Sequence, residues 1–403
     1  MNVLEGKHII LGVSGGIAAY KSVELLRLLR KAGAQVRVIM TRNARWFVGA
    51  LTFEALSGAA VCTSLFKNTQ DAAIRHIQWA EEADAVIIAP ATANIVAKLT
   101  SGLADDALST FMLAVRCPII LCPSMNTYMY ESKIVQRNLR ALKSDGYIVV
   151  EPESGALACG TVGPGRLPEP EVILEKVIRC LWEKDLLDKR ILITAGPTIE
   201  PLDPVRFISN ASSGKMGYAL ANAALRRGAT VTLVTGPTSL AAPMDAKVVR
   251  VQTAADMARA VSDHVNDAHI IIKTAAVCDY RPVESASHKL KKHQDELILR
   301  FEKTVDILKG LGDKKKGKVL VGFAAETESL NENARQKLAK KNLDMIVGNL
   351  ISAENPGFRA DTNTVTLFYK DGTSESLPSM KKEQLAHIIL DRIIERILTQ
   401  QQR

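Results

Sequence analysis

HIILGVSGGIAAYKSVELLRLLR, residues 8–30, is the stretch on which the fold turns. HIILGV is a short, unbroken apolar run, the pattern of a strand buried on both faces of a parallel sheet. Gly15 and Gly16 follow it. From Ala18 to Arg30 the apolar residues return at helical spacing, Gly33 ends the helix, and QVRVIM (35–40) supplies the next strand. Strand, glycine turn, helix and strand make one βαβ unit.

The same alternation extends in both directions along the chain. AVIIAP (85–90) and PIILCP (118–123) are further apolar runs that stop at proline, with helical segments between, and EVILEKVIRCLWEKDLL (171–187) closes the unit. A second unit opens at Lys189 with KRILITAGPT. A helix over 215–227, the strand TVTLVTGP, and the segments HIIIKTAAV (269–277), KVLVGFAAE (318–326) and DMIVGN (344–349) follow, with helices near 254–265, 329–341 and 379–398. The expected architecture is α/β: two successive doubly wound parallel-sheet, Rossmann-like domains, residues 1–188 and 189–403. Such sheets take ligands at the carboxyl ends of their strands.

Composition narrows the function classes. The chain has 403 residues, 47% hydrophobic and 24% charged, as in globular proteins with a substantial core. It contains no apolar run of the ~18 residues a membrane span needs, and the N-terminus lacks the features of a signal peptide; a cytoplasmic protein without a membrane partner is expected. Six cysteines without a CxxC pair argue against a disulfide framework or zinc site. The net charge of +9 is scattered, apart from clusters at 288–292 and 314–318, and no RNA-binding aromatic signature accompanies it, so no nucleic-acid partner is expected. The second cluster reads as a solvated face; the first suits an anionic small substrate.

Gly12-Val-Ser-Gly-Gly-Ile lacks the GxGxxG spacing of a dinucleotide site. Even so, Ser14, Gly15, Gly16 and Ile17 open a helix and offer backbone N–H groups to a phosphate, with the Thr41 hydroxyl near by at the end of the next strand. Asn210-Ala-Ser-Ser-Gly-Lys-Met resembles a Walker A loop only superficially: the leading glycine is missing, and Met216 stands where a magnesium-binding hydroxyl would be. Asn126 follows a strand end and can bond a carboxylate or amide. His76 alone reads as structural. Cys159 sits among Gly155, Gly160, Gly163, Gly165, Pro164 and Pro168, a setting read as neither helix nor strand. VESASHKLKKHQDE (283–296) is polar and aperiodic, and reads as a mobile flap.

GVSGGIAAYK, a histidine ahead of a tryptophan-bearing helix, APATANIVAK, PSMNTYMY and ALACG together resemble the flavin-dependent cysteine decarboxylases, from about residue 7 to about residue 170. ITAGPTIEPLDPVRFISNASSGKMGYALA, KTAAVCDYRP, KLKK and GFAAET are similar to the phosphopantothenate–cysteine ligases. The order of both sets on one chain resembles the bacterial bifunctional proteins of coenzyme A biosynthesis.

The resemblance implies a flavodoxin-like first domain holding FMN through Ser14, Gly15, Gly16, Ile17, Thr41, Pro90, Thr92 and Asn94. It implies His76 as active-site base, Asn126 as the grip on the substrate carboxylate and Cys159 as proton donor. For the second domain it implies activation of 4'-phosphopantothenate by CTP with Mg²⁺, then attack by the amine of cysteine. Asp279 would contact CTP or the metal and Lys289 would meet transition-state charge. Val305, Asp306, Ile307, Leu308, Phe323, Lys337 and Lys341 would bind CTP, and Asn210 would help turn the acyl-cytidylate into product. Lys337 and Lys341, four apart on one helix, can face one phosphate chain. The sequence departs from the family pattern at Tyr130, for tryptophan, and at Thr304-Val305, for asparagine–proline. The implied assembly is a homododecamer of flavin-domain trimers and ligase-domain dimers. Competing readings are a nicotinamide oxidoreductase, which the missing GxGxxG disfavours, a non-catalytic flavoprotein regulator, which His76, Asn126 and Cys159 disfavour, and a nucleic-acid binder.

Overall fold

The structure, a computed structural model, describes residues 3–64, 72–156, 160, 162–291, 297–351, 357 and 359–398, the side chains of 72–76 excepted. The chain forms two compact units, Met1–Trp182 and Glu183–Arg403. Residues 183–188, read from sequence as the end of the first unit, join the second: Lys184 donates to the Arg226 carbonyl, Leu186 N–H to the Arg227 carbonyl, and Asp185 pairs with the buried Arg227.

In the first unit, β1 (His8–Val13), β2 (Gln35–Met40), β3 (Ala85–Ala91), β4 (Ile119–Pro123) and β5 (Ile148–Val149) form one sheet in the order β2-β1-β3-β4-β5. Every pairing is parallel. This is the flavodoxin-like order, whose ligand crevice opens where the connections reverse, between β1 and β3. Core side chains cover both faces. Leu25, Leu26 and Leu29 of the helix Ala19–Lys31 pack on one side with Ile173 and Val177. Leu108, Phe111 and Leu139 pack on the other. That two-sided burial is why β3 reads as an unbroken apolar run, every residue of it buried.

β6 (Glu153–Ala156) and β7 (Val162–Arg166) form an antiparallel hairpin. Gly155, Gly163, Pro164 and Gly165 therefore lie in strands, contrary to the reading of this stretch as neither helix nor strand. A two-stranded ribbon has edge positions that need no proline N–H. Close contact also requires the glycines: Gly165 has φ +140°, and a Cβ there would stand 2.1 Å from the Met125 carbonyl oxygen. Cys159 itself lies outside the described residues.

The second unit adds β8 (Arg190–Ala195), the hairpin β9 (Ile199–Pro201) and β10 (Phe207–Ser209), β11 (Thr230–Thr235), β12 (Lys247–Arg250), β13 (Ile270–Lys273), the hairpin β14 (Tyr280–Pro282) and β15 (Phe301–Lys303), β16 (Val319–Glu326), β17 (Met345–Leu350), β18 (Thr362–Asn363), β19 (Thr366–Tyr369) and β20 (Ser374–Ser376). The main sheet runs β12-β11-β8-β13-β16-β17-β19-β20, parallel through β17 and antiparallel at the last two strands. The antiparallel edge was not anticipated, although Asp371-Gly372 between apolar runs is a hairpin signal. β13 stops at Lys273, short of the expected 277. Beyond it Thr274 N–H turns to the Thr194 carbonyl and Ala276 N–H to the Gly196 carbonyl. The chain stays paired on the β8 side there, through a bridge between Ala276 and Pro197, where it lines a cavity.

Candidate functional site

Each unit has a cavity at the carboxyl ends of its parallel strands. In the first unit it measures about 950 Å³ and is lined by Ser14, Gly15, Gly16, Ile17, Thr41, Thr92, Asn94 and Asn126, among others. The turn after β1 is held from two sides. Ser14 Oγ donates to the Pro90 carbonyl at 2.7 Å, and Thr92 N–H donates to Ser14 Oγ at 3.0 Å. The turn after β2 closes on Gly15 so tightly that a Cβ there would lie 2.5 Å from Asn43 Cβ. Thr41 and Thr92 cap the helical segments that follow them, accepting from Ala44 and Ile95 N–H. Pro90 does not line the cavity; its part is the carbonyl that fixes Ser14. Asn126 caps the short helix Thr127–Glu131, its Oδ1 accepting from Tyr128 N–H at 2.9 Å.

Charged residues that sequence reasoning had not singled out complete this wall. Lys21, Arg42, Lys98 and Arg166 oppose Asp105 and Asp106. Buried Lys21 donates to the Leu167 carbonyl and to Glu169, both at 3.0 Å, fastening the end of β7 to the helix that starts at the glycine turn. Lys98 bridges Asp105 and Asp106 at 2.6 and 2.7 Å and offsets part of their charge. Burial would raise the Asp106 carboxyl; Lys98 and the Ser109 N–H outweigh it and hold the group below its ordinary range. His76 lies on the helix Ala72–Glu82, its side chain outside the description.

The second cavity measures about 560 Å³. It gathers Asn210, Asp279, Val305, Asp306, Ile307, Leu308, Phe323, Lys337 and Lys341, contributed by five separate stretches of chain. Asn210 Nδ2 donates to the Ala276 carbonyl at 3.1 Å. Asp306 caps the helix Ile307–Asp313 through Lys309 N–H and pairs with Lys341 at 2.8 Å. Lys289 is exposed and is not among the lining residues. The loop rejected as a Walker A site does line the wall through Ser212, Gly214, Lys215, Met216 and Gly217. Gly217 lets its helix meet β8, since a Cβ there would stand 2.5 Å from Ala195 Cβ.

Sequence reasoning missed Lys273 and Lys382. Burial, then the charges of Lys337 and Lys341, push the Lys273 ammonium down to about 8. Burial, then Lys215, does the same to Lys382, also to about 8. Lys382 donates to the Gly357 and Ala360 carbonyls, at 2.8 and 2.6 Å. In all, six lysines face two aspartates across this cavity, an environment for a polyanion. Among the described residues no group of three or more His, Cys, Asp and Glu could hold a metal, and no helix is long and apolar enough to cross a membrane.

Two α/β units, each with a cationic cavity at its strand ends, define a tandem flavoprotein-type chain. The Flavoprotein family model matches residues 2–181, and the DNA/pantothenate metabolism flavoprotein C-terminal domain model matches 186–397. The Bacillus subtilis coenzyme A biosynthesis bifunctional protein CoaBC is 49% identical over 97% of this chain and 97% of its own length. The Escherichia coli K12 protein of the same name is 47% identical over 98% of each. A crystal structure of the C-terminal domain of such a protein covers 54% of this chain and 100% of its own, at 46% identity and a TM-score of 0.47. The chain belongs to the family of coenzyme A biosynthesis bifunctional proteins.

Proposed function

We propose that the second unit, residues 183–403, joins cysteine to 4'-phosphopantothenate at the expense of CTP, and that the first unit, residues 1–182, decarboxylates the product to 4'-phosphopantetheine. The observation that carries this reading is the gathering, in two separate cavities, of the residues implied for FMN in one and for CTP in the other.

The first cavity fits FMN. Its glycine turn opens on a helix start that suits a phosphate, and the tight approach of Asn43 to Gly15 leaves a cradle that a Cβ would fill. FMN would supply the two-electron oxidation that lets carbon dioxide leave, and the return of those electrons. Ser14, Gly15, Gly16, Ile17, Thr41, Thr92 and Asn94 would hold it, with Pro90 behind Ser14. Asn126 would orient the substrate carboxylate. His76 would accept a proton from the substrate, and Cys159 would return one to the carbon skeleton after carbon dioxide has left. Gly15→Ala is expected to push the 41–43 loop outward and weaken FMN retention roughly tenfold, in line with the ~1–3 kcal/mol cost of overpacking. The bound flavin per purified chain reads this out; unchanged flavin content with unchanged ligase activity would contradict the cradle.

In the second cavity Lys337 and Lys341 would meet the triphosphate, and Phe323 with Val305–Leu308 the nucleoside. Mg²⁺ characteristically takes one or two carboxylates plus phosphate oxygens, so Asp279 and the nucleotide suffice without a protein metal cage. Lys289 would meet charge as the acyl-cytidylate forms, and Asn210 would serve the cysteine transfer. Homo-oligomerisation through both units is part of the reading. Exposed Ile17, Tyr20, Trp46 and Leu51 on the first unit, and Phe207, Tyr280, Ile298 and Phe301 on the second, support it.

Mass spectrometry of one incubation with phosphopantothenate, cysteine, CTP and Mg²⁺ tests the whole. Phosphopantetheine with CMP is expected. Phosphopantothenoylcysteine as the end point would refute the decarboxylase half, and no product from FMN-loaded protein would refute both.

A further inference from the structure

Lys289 is exposed, yet the backbone on either side of it is fastened. Ala286 N–H donates to the Leu202 carbonyl at 2.9 Å, and Leu290 N–H donates to Asp203 Oδ2 at 3.1 Å. The Arg206 guanidinium donates to the Leu290 carbonyl. All three anchors belong to the turn between β9 and β10.

Asp203 is the centre of that turn, and its side chain is wholly buried. Its two oxygens do different things. Oδ1 accepts from Val205 and Arg206 N–H, at 2.8 and 2.7 Å, and so shapes the local turn. This is ordinary work for an aspartate or asparagine. Oδ2 reaches 87 residues along the chain to Leu290 and faces Arg206 Nε at 3.4 Å. Burial would raise the carboxyl, but the N–H groups of Val205, Arg206 and Leu290 outweigh it and keep the group ionised. The other end of the hairpin is Asn210, which lines the second cavity. One short hairpin thus joins the anchor of Lys289 to the wall of the site.

We propose that Asp203 is a positioning residue of the ligase: through the Leu290 N–H it fixes the segment that displays Lys289 relative to Asn210. The proposal rests on the role given to Lys289 above, so Lys289→Gln is measured first. An unimpaired Lys289→Gln would overturn that role and this proposal together.

Asp203→Asn is the selective variant. Keeping its oxygen at the Oδ1 position preserves both turn bonds and sets an NH₂ against the Leu290 N–H and Arg206 Nε, donor against donor. Flipping the amide would give up two bonds to regain one. Ligation kcat is expected to fall roughly 10- to 100-fold, the scale of a misplaced catalytic group, with KM for CTP within about twofold of wild type, as expected when uniform binding is untouched. Amide hydrogen exchange should accelerate at 286–290. Leu290→Pro deletes the same N–H from the other partner and should reproduce the kcat loss, which covers the case of a misfolded Asp203→Asn. If Asp203 acts through Lys289, the double variant Asp203→Asn/Lys289→Gln is no slower than Lys289→Gln alone. Wild-type kcat in Asp203→Asn beside an impaired Lys289→Gln, or losses that multiply in the double variant, would overturn the proposal.

Discussion

Cys159→Ser leaves ligation at its wild-type rate and stops decarboxylation short of phosphopantetheine. Serine keeps the size and the hydrogen-bonding capacity of the side chain but is a far weaker acid than a thiol, whose ordinary pKa is about 8.5. Delivery of a proton by a positioned acid contributes roughly 10²- to 10⁴-fold. Phosphopantetheine formation should fall by that factor while CMP release does not change. In the proposed function, oxidation and loss of carbon dioxide would precede the step that needs the acid. A decarboxylated product still lacking a pair of hydrogens should therefore accumulate to about one per flavin, the limit of a single turnover without an external reductant. Wild-type phosphopantetheine yield from Cys159→Ser would remove the cysteine from the mechanism. Loss of CMP release as well would indicate general damage to the chain rather than a missing acid.

Much of this architecture was legible because its strands are short, apolar and closed by glycine or proline. HIILGV, QVRVIM and AVIIAP fall on β1, β2 and β3 almost residue for residue. Lys337 and Lys341 could be paired in advance from helical spacing, and both reach one cavity. Lys273 could not be found that way. In the sequence it is only the last residue of a strand, and what makes it unusual is the meeting of β13 with helix Leu330–Lys340 and with Asp306, remote in the chain. Lys382 likewise reads as a solvated helix start, yet its ammonium is buried against the Gly357 and Ala360 carbonyls. The hairpin around Cys159 was hidden because glycine and proline signal a loop locally. The demand for Gly165 comes from the Met125 carbonyl, forty residues earlier in the chain. For Cys159 and His76 the roles come from family resemblance, and their tests are kinetic.

Lys273→Met should make the free protein more stable and the ligase much worse. The ammonium stands at the end of β13 with one hydrogen bond, to the Ala275 carbonyl at 3.4 Å. The charges of Lys337 and Lys341 oppose it, and those of Asp306 and Asp279 favour it. Asp306 is already paired with Lys341 at 2.8 Å. Burial, then the two lysines, lower its pKa from 10.5 to about 8. The unfolded chain holds this proton up to about pH 10.5 and the folded chain releases it near 8. The unfolded state therefore binds more protons between those values, and stability rises with pH across the window. Below pH 8 the folded protein carries the full penalty, on the order of 3 kcal/mol at 1.36 kcal/mol per unit. Methionine removes the charge and keeps the length, so the thermal transition of the second unit should move up at pH 7, with the gain vanishing above pH 10.5. A triphosphate reverses the balance by favouring the ammonium. CTP binding to wild-type protein near pH 9 should take up a proton, seen by calorimetry in buffers of different ionisation enthalpy, and affinity should decline as pH rises past 8. Lys273→Met should lose that uptake and bind CTP roughly 10- to 150-fold more weakly, the value of a hydrogen bond to a charged group at ~1.5–3 kcal/mol. A less stable Lys273→Met with unchanged CTP affinity would mean that the lysine serves the fold, and that the cavity's other lysines, Lys337 and Lys341 among them, recognise the polyanion without it.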